Sequence, residues 1–299
     1  MTVNIAAIKD LLLPGLMDVT GQYEKNKMQS QWTQLFSTRK SNMQIERTVQ
    51  ARFMGLPRLK TEGGAVSYDN DAGERFIYNM EPVEAALGYA ITRKAIDDNL
   101  YQDAFKPTNL GLNDAFLQFW EIEAAAVFNT AATATSGLGG DGKAMIATDH
   151  PFDNGTWANT SAVAQDLNEA SLTAAMKGVR KNFVNEAGLK IKARAQKLVV
   201  PIALEDVAIR LTKTELRPGT TNNDVNAILS LSGGIPGGYM VNDYFTSDFR
   251  WFLKTNVDGL IHIDRIAYEL DMFCDFTTMN LLVQGYQRGG FFFNDPRCV

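Results

Sequence analysis

The sequence predicts an α+β fold carrying extended appendages, on three observations. The spacing of apolar residues switches from alternation to helical periodicity near Pro107 and returns to alternation after DFRWFLKTN. Two N-terminal stretches, residues 1–42 and the turn-rich region beyond Met54, offer too little apolar surface to bury on their own. The composition is otherwise that of an ordinary folded chain: 299 residues, 45% hydrophobic and 21% charged, enough for a substantial core.

Residues 1–42 combine a short helical pattern (Ile5, Ile8, Leu12) with Pro14-Gly15 and the polar run GQYEKNKMQSQ, and read as a coreless arm. In MQIERTVQARFM, Ile45, Arg47, Val49, Ala51 and Phe53 fall on one face, and Gln44, Glu46, Thr48 and Gln50 on the other. A tip rich in breakers (Pro57, Gly63-Gly64, Asn70-Asp71) precedes a second extended run, RFIYNMEPVEAALGYAI, so a long two-stranded hairpin is expected. Leu112, Phe116, Trp120, Ala124, Phe128 and Ala131 then recur at spacings of three and four, predicting a long helix over about 112–134 that stops at Thr135-Ser136-Gly137.

A second helix is expected from an N-cap at Asp166 or Asn168, through Leu172, Met176, Val179 and Phe183, to Ala187-Gly188. LKIKARAQKLVVP reads as a strand entering the core, and Pro201 as the first residue of a third helix carrying Leu204, Val207 and Leu211. RPGTTNND and SGGIPGGY are loops, the second glycine-dense enough to be mobile. Two long strands separated near Asp275 close the chain, and the terminal FFF is a buried strand end.

Several function classes fall away on context. GLGGDGK (137–143) matches both GxxxxGK and GxGxxG, but Ala144 stands where magnesium would need a hydroxyl, and the predicted helix precedes the loop instead of following it. Asp141 would also put a carboxylate into an anion site. His150, between Asp149 and Asp153, and His262, two residues before Asp264, are the only histidines, and a metal-dependent hydrolase built on both is the enzymatic alternative. A structural role favours His150 instead, since Pro151 suits a turn and imidazole can hydrogen-bond a loop. No cofactor is expected, and Cys274 and Cys298 make no disulfide framework, which fits a reducing compartment. No secretory signal or bilayer-spanning run is recognised.

Charge is unevenly spread. Residues 1–60 hold nine Lys/Arg against four Asp/Glu, whereas the remainder holds 20 against 30: a basic strap on an acidic body of overall net charge −5.

The order of elements, together with AMIATDHPF, AQKLVVPIALEDVAIRL, RPGTTNNDVNAI, DFRWFLKTN and GLIHIDRIAYELDMF, resembles the major capsid protein of tailed bacteriophages, the Hong Kong ninety-seven-type fold, and in particular its Mu-type head-subunit branch. The resemblance implies an N-terminal arm (1–42), an extended hairpin loop (43–87), a peripheral domain with a spine helix (88–194), an axial domain (195–274) and C-terminal strands returning to the peripheral domain (275–299). It implies inter-subunit contacts at the hairpin tip through Arg58, Lys60, Glu62 and Tyr68, axial loops carrying Arg217, Pro218, Asn222, Asn223, Gly233 and Gly234, and a structural turn at His150-Pro151. The implied function is non-enzymatic: self-assembly into hexamers and pentamers that close an icosahedral head around double-stranded DNA, formed in the host cytoplasm and located in the virion. Portal and scaffolding proteins, a decoration protein and the packaged DNA are the implied partners, with no membrane. An encapsulin-like shell enclosing protein cargo is the nearest rival.

Overall fold

The computed structural model describes residues 22–23, 25–27, 29–68, 73–97, 101–133, 139–216 and 225–299. Two compact units emerge, one from residues 1–45, 81–124 and 262–291, the other from 46–80, 125–261 and 292–299. Strands β1 (Ser37–Lys40), β2 (Glu46–Ala51), β3 (Glu74–Met80) and β4 (Val83–Ile91) precede a helix over Tyr101–Asn129. Short strands β5 (His150–Phe152) and β6 (Gly155–Trp157) follow, then a helix over Glu169–Asn182, β7 (Ala195–Pro201) and a helix over Glu205–Lys213. The chain ends with β8 (Tyr239–Asn242), β9 (Phe252–Thr255), and two long strands, β10 (Leu260–Cys274) and β11 (Leu281–Phe293). No described helix is long and apolar enough to cross a membrane.

The first unit is built on a four-stranded sheet of order β1-β10-β11-β4, in which β11 and β4 run antiparallel from Leu281↔Ile91 to Gly289↔Val83. Its core packs Leu112 and Phe116 of the long helix against Tyr23 and Tyr268, with the two tyrosine rings stacked at 4.2 Å. Gly285 allows this approach, because a Cβ there would lie 2.8 Å from the Phe116 ring and 2.9 Å from that of Tyr268. The buried Gln287 side-chain oxygen accepts from both Tyr23 Oη (2.7 Å) and Trp120 Nε1 (2.6 Å), fastening arm and helix to the same strand.

The arm is therefore not coreless from Tyr23 onward: Tyr23, Trp32, Leu35 and Phe36 are all buried. Their aromatic partners lie more than 200 residues away, so no local periodicity announced them. The long helix shows the expected buried stripe but starts earlier, at Tyr101, because Pro107 with its polar neighbours imitates a start signal while lying within the helix.

The expected single hairpin divides. β2 pairs with β3 in register Val49↔Ile77, while Glu81-Pro82 interrupts the second run and β4 pairs with β11 instead. Proline has no N–H for a continuing ladder, which accounts for the break.

In the second unit β7 is central, parallel to β8 and antiparallel to β9. Leu198 and Val200 meet Leu172, Met176 and Val179 of the 169–182 helix and Phe183 just beyond its end, together with Ala208, Leu211, Ile228 and Leu253. Asn168 caps that helix: its side-chain oxygen accepts from Ser171 N at 2.9 Å, and its own N–H donates to Ser171 Oγ at 3.0 Å. Pro201 is not the first residue of the third helix: it closes β7, opposite Asn242, and a 3₁₀ turn (Ile202–Leu204) intervenes.

His262 is almost fully buried in the first unit, with Trp32 and Phe291 ring centroids at 4.5 and 4.6 Å. Burial holds its pKa down at about 4, from 6.5, with Asp264 opposing and Lys27 assisting. The unfolded chain therefore binds a proton near pH 6.5 that the folded chain refuses until about pH 4, so this contribution to stability is complete above pH 6.5 and is lost on acidification through that window. At 1.36 kcal/mol per pH unit the loss is about 3 kcal/mol. Urea unfolding followed from pH 7 to pH 4 should show a shallower fall for His262→Phe than for the wild type; parallel curves would refute the assignment.

Candidate functional site

The feature without a counterpart in an ordinary globular core is the excursion between β2 and β3. The alternation in β2 is present: Glu46, Thr48 and Gln50 are half-buried while Arg47, Val49 and Ala51 are exposed. Val49 and its cross-strand partner Ile77 thus form an exposed apolar pair. Beyond them Phe53, Met54, Leu56, Leu59, Val66 and Tyr68 stand in solvent, Leu56 at 74% and Tyr68 at 86% exposure. A run of this kind marks a surface that another surface covers. Arg58, Lys60 and Glu62 are exposed within the same run, and Thr61–Gly64 closes a turn (Gly64 N to Thr61 O, 3.0 Å) with Gly63 at φ +75°.

The root of the excursion is held far more firmly than its tip. Arg52 and Arg75, on opposite sides of the hairpin, both bind the Asp153 carboxylate, at 2.9 and 3.0 Å. Arg75 also donates to the main-chain oxygens of Glu186 (3.3 Å) and Pro151 (3.4 Å), and Gln50 donates to the Glu186 carboxylate. Glu186 is 1% exposed and its charge is met by buried Arg297. Arg297 in turn donates from its main-chain N–H to Asp295 Oδ1 (2.9 Å), and burial raises the Asp295 pKa although Arg297 lies beside it.

His150 and Pro151 lie in β5, and the turn itself follows at Asp153-Asn154. The His150 Nδ1 is 2.7 Å from Asp141 Oδ2, both side chains are buried, and the imidazole stacks on Trp157 at 4.7 Å. Asp141 Oδ1 also accepts from Lys143 N at 3.1 Å, so the carboxylate that spoils GLGGDGK as a phosphate loop helps to organise its described part, residues 139–143. His262 belongs to the other compact unit, and among the described residues no group of three or more His, Cys, Asp or Glu is arranged to hold a metal.

Arg217, Pro218, Asn222 and Asn223 lie outside the described residues. The base of their loop is closed by the Leu216↔Val225 bridge and by Asn226, whose side chain donates to Leu211 O (3.0 Å) and Thr214 O (2.9 Å). Gly233 and Gly234, at φ +91° and +70°, end a 3₁₀ turn. A Cβ on Gly234 would sit 2.5 Å from Leu229 O, so glycine supplies a conformation there. The hydrogen bonds Gly234 N to Leu231 O, Gly237 N to Gln196 O and Gly238 N to Ile235 O, at 2.7–3.0 Å, fasten a segment whose composition alone suggested mobility.

The root contacts, Gln50, Arg52, Arg75, Asp153, Glu186 and Arg297, were absent from the expected site. Only the density of charge around a strand start hinted at them, because the partners are scattered across the chain.

The family described as phage capsid protein matches residues 81–299. No protein of curated function matches. Among solved structures, the capsid of an empty GTA particle superposes with a TM-score of 0.57 at 13% identity, covering 90% of this chain and 87% of that one. The capsid of cyanophage P-SCSP1u gives 0.56 at 9% identity over 88% and 84%, and the virus-like particle from Pyrococcus furiosus 0.50 at 8% over 89% and 88%. At these identities the likeness is one of fold.

The buried pair generates a stability prediction. Arg297→Leu leaves the Glu186 carboxylate buried without its cation and should cost about 3–5 kcal/mol in urea unfolding. The double variant Arg297→Leu/Glu186→Leu should recover part of that loss; a double variant no more stable than the single one would show that the charge is not the cause.

Proposed function

The chain belongs to the phage capsid protein family, and from that premise we propose that it is the major capsid protein, closest to the Mu-type branch, whose copies assemble into hexamers and pentamers of an icosahedral head around double-stranded DNA. The observation that carries the reading is the β2–β3 excursion: a clamped root, and a tip whose large apolar side chains are left exposed among the described residues. A second copy is the natural cover, since every copy in a closed ring offers the same surface to its neighbour. Arg58 and Lys60 give that seat an electrostatic component against the acidic remainder of the next subunit, with Glu62 and Tyr68 as further contacts.

In this reading residues 1–42 are the arm, 43–87 the extended loop, 88–194 the peripheral domain, 195–274 the axial domain and 275–299 its returning strands. The loops bearing Arg217, Pro218, Asn222, Asn223, Gly233 and Gly234 then face the capsomer axis. His150 and Pro151 serve a structural role, holding the loop after the long helix. Assembly takes place in the host cytoplasm with portal and scaffolding proteins, and a decoration protein completes the partners.

A shell of the same fold enclosing protein cargo is the second reading. The nucleic-acid content of purified particles separates the two.

Electron microscopy of the purified protein tests the proposal. Replacing residues 55–68 by a short Gly-Ser linker should leave thermal unfolding unchanged and abolish shells; normal particles would refute the role of the loop. Arg58→Glu/Lys60→Glu should lower the salt concentration at which shells come apart, and an unaltered salt profile would remove the electrostatic component.

A further inference from the structure

A second surface has the opposite chemistry to the hairpin tip. Between Lys177 and Lys197 the sequence holds seven Lys/Arg and one Asp/Glu, in a chain of net charge −5. The single acid is Glu186, whose carboxylate is buried against Arg297.

These cations lie on two segments that adjoin in the fold. Leu172, Met176 and Val179 turn one face of the 169–182 helix into the core, so Lys177 and Lys181, one turn apart, share the outward face. The chain then doubles back: Gly188 adopts φ +78°, Leu189 N donates to Asn185 Oδ1 (2.7 Å), Val184 pairs with Lys190, and Ile191 N donates to Phe183 O (3.2 Å). Lys190 is thereby brought beside the end of the helix that carries Lys181. Along the returning segment exposure alternates, with Ala193 and Ala195 buried and Lys190, Lys192 and Arg194 exposed, so three cations follow one another on one face. Alternate residues of extended chain stand about 6.6 Å apart. Among the described residues no carboxylate lies within ion-pair distance of Lys177, Lys181, Lys190, Lys192 or Arg194.

Two kinds of partner could meet such a surface, an acidic protein face or a phosphate backbone. Protein interfaces concentrate aromatic and apolar anchors and are depleted in lysine. Here no large apolar side chain stands exposed between Val163 and Ile202, in contrast to the hairpin tip. Lysines in series without apolar anchors match what a nucleic-acid backbone requires, dense negative charge contacted without base recognition.

We infer that Lys177, Lys181, Lys190, Lys192 and Arg194 form a sequence-independent contact for the phosphate backbone of duplex DNA. This rests on the capsid reading only in identifying the duplex as the packaged genome; binding itself is measurable without shells.

The test is fluorescence anisotropy of the full-length protein with a labelled random-sequence duplex, in parallel with electron microscopy. Five phosphate contacts give a slope of log K against log salt of about −4.5, a loss of roughly 500-fold between about 50 and 200 mM salt. Lys190→Gln/Lys192→Gln/Arg194→Gln, which keeps polar side chains at exposed positions, should bring the slope to about −1.8 while shells still form. Equal slopes for wild type and variant, or no binding by the wild type, would overturn the inference. So would loss of shells with duplex binding intact, which would make the patch a protein contact. Absence of shells from the wild type bears on the capsid reading, and the anisotropy result stands apart from it.

Discussion

A carboxylate with almost no access to water has to be neutralised by its surroundings, and Glu186 meets that constraint with groups from three distant parts of the chain. Its side chain is held by Arg297 and Gln50, while its main-chain oxygen accepts from Arg75 and from Asp153 N. Charges withdrawn from water stabilise little in themselves but penalise every arrangement that leaves one unpaired. The residues before the C-terminus, the root of the hairpin and the turn after the 169–182 helix are thus specified together.

The consequence is a chain whose firm and exposed parts lie close in sequence. Arg52 and Arg75 fix where the β2–β3 excursion leaves the fold, and immediately beyond them the large apolar residues stand exposed among the described residues. An appendage loose throughout would lose more conformational entropy on docking; a fixed root confines that cost to the tip. The surface also divides by chemistry. Large apolar groups gather on the hairpin, which suits contact with another protein, and exposed lysines gather where no apolar group accompanies them, which suits a polyanion.

Elements with strong periodicity were legible from sequence: the stripe from Leu112 to Ala131, the second helix with its Asn168 cap, the Val199-Val200 core strand, and the long strands on either side of Asp275. Elements defined by distant partners were not. Tyr23 and Trp32 are anchors in a segment that looks polar, because what buries them is Gln287, Tyr268 and Phe291. The extended excursion between breakers was legible as an element, and its described residues are exposed. The clamp at its root was not.

By itself the sequence determined the periods, the caps, the breakers and the charge inventory, since these depend on neighbours within a few residues and on backbone sterics. Tertiary structure alone decided which face of β2 is exposed, that β4 leaves the hairpin to pair with β11, and that Asp141 serves His150. It also decided that Glu186, one acid in a basic stretch, is the buried centre of a network. Each of these is a choice among partners far apart in the chain, made by the cost of leaving a donor, an acceptor or a charge unmet inside the fold.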